Sequence, residues 1–245
     1  MIPGPATCRF LPAQTMPKTL IIVPAYNEED SLPGVIRDLG MHFPEGDILV
    51  IDDGSRDRTA EIARAAGVGV VRLPFNLGIG GAVQTGYRYA QRQGYDIAVQ
   101  FDGDGQHVAA EIRELLAPIL KGRADLVVGS RFLKRGDYRP PFLRKVGIWI
   151  FSRTLSAIIG APVTDTTSGF RAVNARVIAF FARLYPEDYP EVESLVLLHR
   201  AGMRIEEKAV TMRGRTGGKS SITPIRSAYY MIKVLLAVFI DLLKK

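Results

Sequence analysis

The chain has 245 residues, of which 47% are hydrophobic and 23% are charged, and its formal net charge is +7. This composition is that of an ordinary globular protein, and it excludes a fibrous or largely disordered one. A chain of this length can bury one substantial core, so we expect one main domain. The positive charge favours an acidic partner: a phosphorylated substrate, an anionic membrane surface or nucleic acid. One cysteine, Cys8, cannot form an internal disulfide and is typical of a reducing compartment.

Residues 1–17 contain four prolines and no periodic pattern, which predicts a loose tail. Short apolar runs then alternate with helical segments, which is typical of βαβ units and of a parallel sheet with helices on both faces. The predicted strands of this region are 19–23, 47–51, 68–73, 97–101 and 125–129. The helices predicted between them are 31–39, 59–66, 78–93 and 111–121. Further on, the sequence predicts helices over 146–159, 190–201 and 225–243, a turn at 164–171 that enters a strand, and a strand over 204–212.

The fourth predicted strand ends in two carboxylates that are one residue apart, Asp102 and Asp104. Alternate residues of an extended backbone point the same way, so both can face one ion. Carboxylate oxygens at the carboxyl end of a parallel strand suit Mg²⁺ or Mn²⁺ carrying a diphosphate. A calcium loop of the EF-hand type is disfavoured, because its sixth and twelfth positions hold His107 and Arg113. His107 is interpreted as a hydrogen-bonded or surface imidazole and not as a metal ligand.

Polar and glycine-rich segments also follow the first three predicted strands, at 24–29, 52–55 and 76–81. Ligands of parallel sheets bind beyond the carboxyl ends of the strands, so these segments predict an active site at one edge. The glycines of 78–81 are a poor dinucleotide fingerprint, because Val83 replaces the third glycine. A nicotinamide-dependent dehydrogenase is therefore disfavoured.

The last part of the chain carries two features whose roles stay open. The loop 213–221 combines glycines with cations, which favours a phosphate-binding lid over a solvated surface turn. The apolar helix predicted over 225–243 is barely long enough to span a membrane. An interfacial helix anchored by Lys244 and Lys245, or a helix packed in a dimer, fits it better.

Six motifs in this order resemble the family 2 glycosyltransferases, and most of all the dolichyl- and polyprenyl-phosphate sugar transferases, which are dolichol-phosphate mannosyltransferase-like. The motifs are VPAYNEE at 23–29, DDGS at 52–55, NLG at 76–78, DGDGQ at 102–106, GSRF at 129–132 and TSGF at 167–170. The resemblance implies a GT-A α/β fold with a mainly parallel sheet and a short antiparallel portion. The expected domains are a catalytic domain at 18–223 and a C-terminal helix at 224–245.

The resemblance also implies roles for individual residues on the donor side of the site. The residues expected to hold the base and ribose are Pro24, Tyr26, Glu28 and Asp53. The residues expected to bind the metal ion, Mg²⁺ or Mn²⁺, and the diphosphate are Asp102, Asp104 and Gln106. The residues of the late basic loop expected to close over the diphosphate are Arg213 and Lys219.

On the acceptor side, the resemblance places Arg131 where the donor and acceptor phosphates meet, and Arg144 or Lys145 near the acceptor phosphate. Asp104, Arg131 and Glu193 are the expected catalytic residues. A lipid phosphate is already anionic and needs no general base, whereas a sugar hydroxyl does, and Glu193 is the first candidate for that base. Asp165 is the second candidate, although its place before a turn favours capping.

The expected reaction is inverting transfer of a sugar from a nucleoside-diphosphate sugar to polyprenyl phosphate at the cytoplasmic face of the membrane. The alternative is the same chemistry on a saccharide or lipid-linked glycan in surface polysaccharide assembly. The other expected partners are a membrane surface or a second copy of the chain. Nucleic acid is disfavoured, because the cations alternate with carboxylates and not with aromatic residues.

Overall fold

The computed structural model describes residues 17–133, 152–157, 160, 162–187 and 190–214. The strands are β1 (Thr19–Ala25), β2 (Asp47–Asp52), β3 (Gly69–Arg72), β4 (Ile97–Gln100), β5 (Leu126–Ser130), β6 (Arg171–Asn174) and β7 (Ile205–Ala209). The helices are α1 (Leu32–His42), α2 (Thr59–Ala65), α3 (Gly78–Arg92), α4 (Ile112–Leu120), α5 (Ala175–Arg183) and α6 (Pro190–Arg200), and residues 152–157 are also helical.

The strands form a mixed sheet in the order β3-β2-β1-β4-β6-β5-β7. Neighbouring strands run parallel except at β6, which lies antiparallel between β4 and β5. The expected mainly parallel sheet with a short antiparallel portion is therefore confirmed. Arg171, the first residue of β6, pairs with Gln100 of β4 on one side and with Val128 of β5 on the other. The carboxyl ends of β4 and β5 consequently lie at the same edge as the start of β6.

Helices cover both faces of the sheet, and β1 shows how the sequence encodes this. Leu20 and Ile22 belong to a buried cluster with residues of α3, α5 and α6. Ile21 and Val23 belong to a second cluster with residues of α1 and α4. Alternate residues of a strand face opposite sides, so an uninterrupted apolar run is what a sheet buried on both faces requires. Polar groups are thereby concentrated in the loops at the edges of the sheet.

One helix was not expected, and several expectations fall outside the described residues. α5 begins directly after β6, and Asn174 caps it by accepting a hydrogen bond from Val177 N at 3.1 Å. The predicted tail at 1–17 is described only at Pro17, and the predicted helix at 225–243 lies wholly outside the described residues. Within the described ranges, no helix is both long and apolar enough to cross a bilayer.

An ion pair at the amino end of β5 predicts an acid-dependent loss of stability. Asp125 is buried and accepts hydrogen bonds from Arg204 N at 2.8 Å, from Arg204 Nε at 3.2 Å and from Asn174 Nδ2 at 2.8 Å. Burial raises the pKa of Asp125, but the bonds from Arg204 and Asn174 outweigh it and lower this pKa to about 2. The resulting stabilisation is complete above the ordinary pKa and is lost as the pH falls toward 2.

We therefore expect Asp125→Asn to lower the free energy of unfolding by roughly 1–2 kcal/mol at pH 7, allowing for the half-exposed Arg204. Denaturant unfolding of both proteins between pH 7 and pH 2 measures this. The difference between them should shrink between pH 4 and pH 2, and a difference that stays constant would contradict the assignment.

Candidate active site

The loops that follow β1 and β2 are bound to each other at the carboxyl edge of the sheet. Asn27 has a positive φ of 54°, and its backbone N–H donates to Ser55 Oγ at 3.0 Å. Its side-chain oxygen accepts from Arg56 N at 2.9 Å, and Glu28 N donates to Thr59 Oγ1 at 2.9 Å. Tyr26, the residue before Asn27, is about 42% exposed at this edge of the sheet. Of the expected nucleoside-binding residues, Tyr26, Glu28 and Asp53 thus lie on two loops that are bonded to each other, whereas Pro24 is a buried residue of β1.

Asp53 lies at the end of β2 and also fastens the turn before α3. Its two carboxylate oxygens accept the backbone N–H groups of Leu77 at 2.7 Å and Gly78 at 2.9 Å. Burial is the main cause of a raised pKa for Asp53, and the two backbone bonds oppose it. The position at the edge is the one expected for a nucleoside-binding residue, but the same carboxylate also holds the glycine-rich turn in place.

The acidic motif after β4 lies against the end of β1. Gly103 N donates to Pro24 O at 3.3 Å. Ser31 directly precedes α1 but makes no capping bond to it; its hydroxyl oxygen lies 2.6 Å from Glu28 Oε2 and 2.7 Å from Gly103 O. This hydroxyl therefore links the expected nucleoside-binding loop to the acidic motif. Asp104 Oδ1 accepts from the backbone N–H of Gln106 at 3.1 Å, which closes a tight turn.

Asp102 is held by a buried histidine. His107 Nε2 lies 3.1 Å from Asp102 Oδ2, and the imidazole is fully buried while the carboxylate is 32% exposed. The imidazole stacks on Phe170 with 4.8 Å between ring centroids and meets the edge of Phe101 at 5.3 Å. Burial raises the pKa of Asp102, but His107 and Gln100 outweigh it, so this pKa lies below its ordinary value. The carboxylate is therefore ionised at neutral pH.

The chemistry of these donors suits a magnesium or manganese ion. No cluster of three or more Asp, Glu, His or Cys side chains that could hold a metal occurs in the part of the chain that the structure describes. A protein cage is not needed, because Mg²⁺ in nucleotide enzymes is typically held by one or two carboxylates together with substrate phosphates and water. Asp102 and Asp104 supply two such carboxylates, and Gln106 remains a predicted third ligand.

The segment before β6, residues 165–170, lies between the ends of β4 and β5. A Cβ atom on Gly169 would come within 2.5 Å of Asp102 Oδ2, so this position accommodates the carboxylate only as glycine. Arg171, which is 1% exposed, donates to Ser168 O at 2.8 Å and to Ser194 Oγ at 2.7 Å, and also to Glu191 O. This buried guanidinium fixes the start of α6 against the segment.

Arg131 follows β5, and its side chain is bound by Asp165 and Thr167 of the segment 165–170. Its Nε and Nη2 donate to the two oxygens of Asp165 at 2.6 Å and 2.7 Å, and Nη2 also donates to Thr167 Oγ1 at 2.7 Å. Asp165 is fully buried. A carboxylate committed to an arginine in this way is not placed to take a proton from an acceptor, so the reading of Asp165 as a second candidate base is wrong.

The start of the late basic loop runs beside the acidic motif. Met212 forms an antiparallel bridge with His107, and Arg213 N donates to Gln106 O at 2.8 Å. The Arg213 side chain, which is 50% exposed, donates from Nη1 to Asp38 Oδ2 at 3.3 Å. The other expected cations, Lys219, Arg144 and Lys145, lie outside the described residues, so their roles stay predictions.

The first turn of α6 carries two acidic residues, Glu191 and Glu193, and both are partly exposed. Glu193 is the expected general base. Burial raises the pKa of Glu191, against the effect of the neighbouring Arg171. The sequence predicts no contact with Asp102 for His107 or Gly169: it indicates a hydrogen-bonded or surface imidazole for His107, which the bond to Asp102 makes specific, and it places Gly169 only within the TSGF motif. For His107 the signal was present in the sequence, because it directly follows the acidic motif.

A mainly parallel sheet with carboxylates and arginines at its carboxyl edge is typical of α/β enzymes that bind charged ligands, and comparisons with known proteins show which family this chain belongs to. The family model for glycosyl transferase family 2 matches residues 20–180. An undecaprenyl-phosphate mannosyltransferase of Micrococcus luteus is 36% identical over 216 residues, covering 84% of this chain and 88% of that protein. The chain therefore belongs to glycosyl transferase family 2, and its resemblance to the polyprenyl-phosphate sugar transferases is confirmed.

Two further matches are a relative whose name specifies a different sugar and a solved structure with a similar fold. A UDP-N-acetylglucosamine–dolichyl-phosphate N-acetylglucosaminyltransferase of Methanococcus voltae is 35% identical over 170 residues, covering 62% of this chain and 67% of that protein. Glucosyl-3-phosphoglycerate synthase from Mycobacterium tuberculosis, solved in complex with Mn²⁺, UDP and glucosyl-3-phosphoglycerate, superposes with a TM-score of 0.69 at 21% identity. That match covers 92% of this chain and 79% of that chain, and at this identity it shows the GT-A-like fold alone.

Proposed function

We propose that this protein is a divalent-metal-dependent, inverting glycosyltransferase that moves a sugar from a nucleoside-diphosphate sugar to polyprenyl phosphate. The relatives named above act, by their names, on undecaprenyl and dolichyl phosphate, and they transfer different sugars. The acceptor class is therefore proposed and the sugar is left to experiment. Polyprenyl phosphates are membrane lipids, so we further propose that the enzyme works as a peripheral protein at the cytoplasmic face.

The observation that carries the proposal is the short segment 167–169, which connects two charged centres, the Arg131 guanidinium and the Asp102 carboxylate. Thr167 accepts a hydrogen bond from Arg131, and Gly169, two residues further on, packs on Asp102. Residues 166–167 form a turn, so this segment is shorter than the span of about 7 Å that two extended residues would reach. A cation that can bind an acceptor phosphate and a carboxylate that can bind a metal diphosphate therefore contact one short segment at the same edge of the sheet.

In the proposed reaction, an oxygen of the acceptor phosphate attacks the anomeric carbon as the bond from that carbon to the diphosphate breaks. The nucleoside diphosphate leaves with the bonding electrons. In this proposal Arg131 orients the acceptor phosphate and reduces its repulsion from the diphosphate. Arg213, whose backbone N–H bonds Gln106 O and whose side chain bonds Asp38, would turn toward the leaving group and neutralise it. A bound Mg²⁺ or Mn²⁺ ion would stabilise the negative charge of the departing diphosphate.

A substrate panel tests the proposal directly. The full-length protein is incubated with Mn²⁺, a GDP-, UDP- or dTDP-sugar and one acceptor, which is undecaprenyl phosphate, a free saccharide or a lipid-linked glycan, and the release of nucleoside diphosphate is measured. We expect release that requires the lipid phosphate for one donor class, together with a lipid-linked sugar product. Release that requires a free saccharide or a lipid-linked glycan would contradict the proposed acceptor, and no lipid-dependent release from any donor would contradict the function.

A further inference from the structure

We infer that Asp165, held in turn by Glu207, is a positioning residue that fixes the guanidinium of Arg131 for the transfer reaction. The inference rests on the proposed function, because Arg131 receives its role at the acceptor phosphate there. Asp165 itself touches no substrate in this account. It acts through the direction in which it holds Arg131.

The pairing of the two side chains fixes a direction as well as a distance. Asp165 Oδ2 accepts from both the backbone N–H of Arg131 at 3.1 Å and its Nε at 2.6 Å, and Oδ1 accepts from Nη2 at 2.7 Å. Two parallel bonds to a planar guanidinium determine the orientation of its plane, which one bond cannot do. Thr167 Oγ1 accepts a further bond from Nη2 at 2.7 Å.

Burial makes this arrangement rigid. The Asp165 side chain is fully buried and that of Arg131 is 14% exposed, so water competes weakly for their bonds. The surface ion pair of Arg58 with Glu29, at 80% and 35% exposure, shows the opposite situation in the same protein. A buried, doubly bonded pair holds one geometry where an exposed pair samples many.

Asp165 is itself held from the neighbouring strand β7. Glu207 Oε1 accepts the backbone N–H groups of Thr164 at 2.8 Å and of Asp165 at 2.9 Å, and Oε2 accepts from Thr164 Oγ1 at 2.7 Å. Ser130, the residue before Arg131, lies 2.6 Å from Thr164 through their hydroxyl oxygens. Arg131 is therefore held in place, through Thr164 and Asp165, by residues of strands β5 and β7.

A second buried aspartate paired with an arginine, Asp125 with Arg204, lies at the opposite end of β5 and provides a matched control. Asp125 binds Arg204 through the same three nitrogens, the backbone N and the side-chain Nε and Nη2. It precedes β5, whereas Arg131 follows β5. Asp125→Asn and Asp165→Asn thus remove the same kind of buried charge at the two ends of one strand, and Asp125 has no part in the site.

The test is a double-mutant cycle with Asp165→Asn and Arg131→Ala, measured as single turnovers with nucleotide sugar, Mn²⁺ and undecaprenyl phosphate. We expect Asp165→Asn alone to slow transfer by about 10²-fold, the cost of a misplacement of about 1 Å at a reacting group. In the Arg131→Ala background the same change should alter the rate by less than about 2-fold, because no guanidinium is left to orient. Asp125→Asn should leave the rate within about 2-fold of the wild type.

Binding of the nucleoside diphosphate separates positioning from a general structural defect. Calorimetry with UDP or GDP and Mn²⁺ should give the same affinity for Asp165→Asn as for the wild type, since Asp102 and Asp104 are unchanged. A parallel loss of affinity would overturn the inference, and so would a 10²-fold effect that persists in the Arg131→Ala background. Wild-type rates in Arg131→Ala would overturn the role of Arg131 itself, whereas an inactive wild type would contradict the proposed function.

Discussion

Asp104→Asn is expected to abolish the Mn²⁺-dependent binding of a nucleoside diphosphate while leaving the fold intact. The change removes one of the two carboxylates of the acidic motif but keeps the side-chain oxygen that Gln106 N bonds at 3.1 Å. A neutral amide oxygen is a much weaker ligand for a hard cation than a carboxylate. The transfer rate should fall by about 10²–10³, the usual cost of losing one contact that stabilises developing charge.

Isothermal titration of UDP and GDP with and without Mn²⁺ measures this effect, and circular dichroism checks the fold. Asp96→Asn is the matched control, because Asp96 is exposed just before β4 and accepts only a backbone bond from Lys18 in the described structure, at 2.9 Å. That variant should bind and turn over as the wild type does. Unchanged affinity of Asp104→Asn in the presence of Mn²⁺ would refute the metal assignment.

Gly169→Ala is expected to cost far more activity than stability. The added methyl group would lie 2.5 Å from Asp102 Oδ2 and 2.9 Å from Oδ1, closer than any ordinary contact. The carboxylate can rotate away at modest cost to the fold, but it then loses its 3.1 Å bond with His107 and its place beside Asp104. Displacing a metal-binding group by about 1 Å should slow the reaction by about 10²-fold.

Single-turnover rates and thermal unfolding measured on the same preparation test this prediction. Gly40→Ala is the control: Gly40 lies in α1 with nothing within 4 Å of its added methyl group, so alanine should be neutral or stabilising by about 0.5–1 kcal/mol. A fully active Gly169→Ala protein would show that Asp102 need not keep its position. An unfolded one would show that the site and the core are not separable here.

The alternation of apolar runs and helical segments sufficed to predict most of the fold. A short apolar run indicates a buried strand, whereas apolar residues at a period of 3.6 indicate a helix. The predicted strand at 97–101 is β4 over Ile97–Gln100, and the predicted helix at 190–201 is α6. The helix α5 was missed although its signals are local: Asn174 caps it, and Val177, Ile178 and Phe181 are spaced for one buried face. A short strand directly before a helix left no turn residues to separate the two.

The active site was predictable only where its residues follow a strand. Asp102, Asp104 and Asp53 fall at strand ends, so the parallel sheet alone implies that they share an edge. The ion pair between Asp165 and Arg131 joins residues that are 34 positions apart in the sequence. The stacking of His107 on Phe170 depends on the position of β6 between β4 and β5. Local sequence carries no information about such an insertion, and these contacts follow from the order of strands in the sheet.

The antiparallel strand between β4 and β5 sets a fixed spacing in the catalytic centre. Adjacent strands lie about 4.8 Å apart, so the ends of β4 and β5 are held about 10 Å from each other by the hydrogen bonds of the sheet. The spacing between the strand ends that precede Asp102 and Arg131 is thus set by the sheet and not by a flexible loop. With this strand order unchanged, a different sugar or acceptor would have to be accommodated by the loops beyond the strand ends, because the sheet holds the distance between those ends constant.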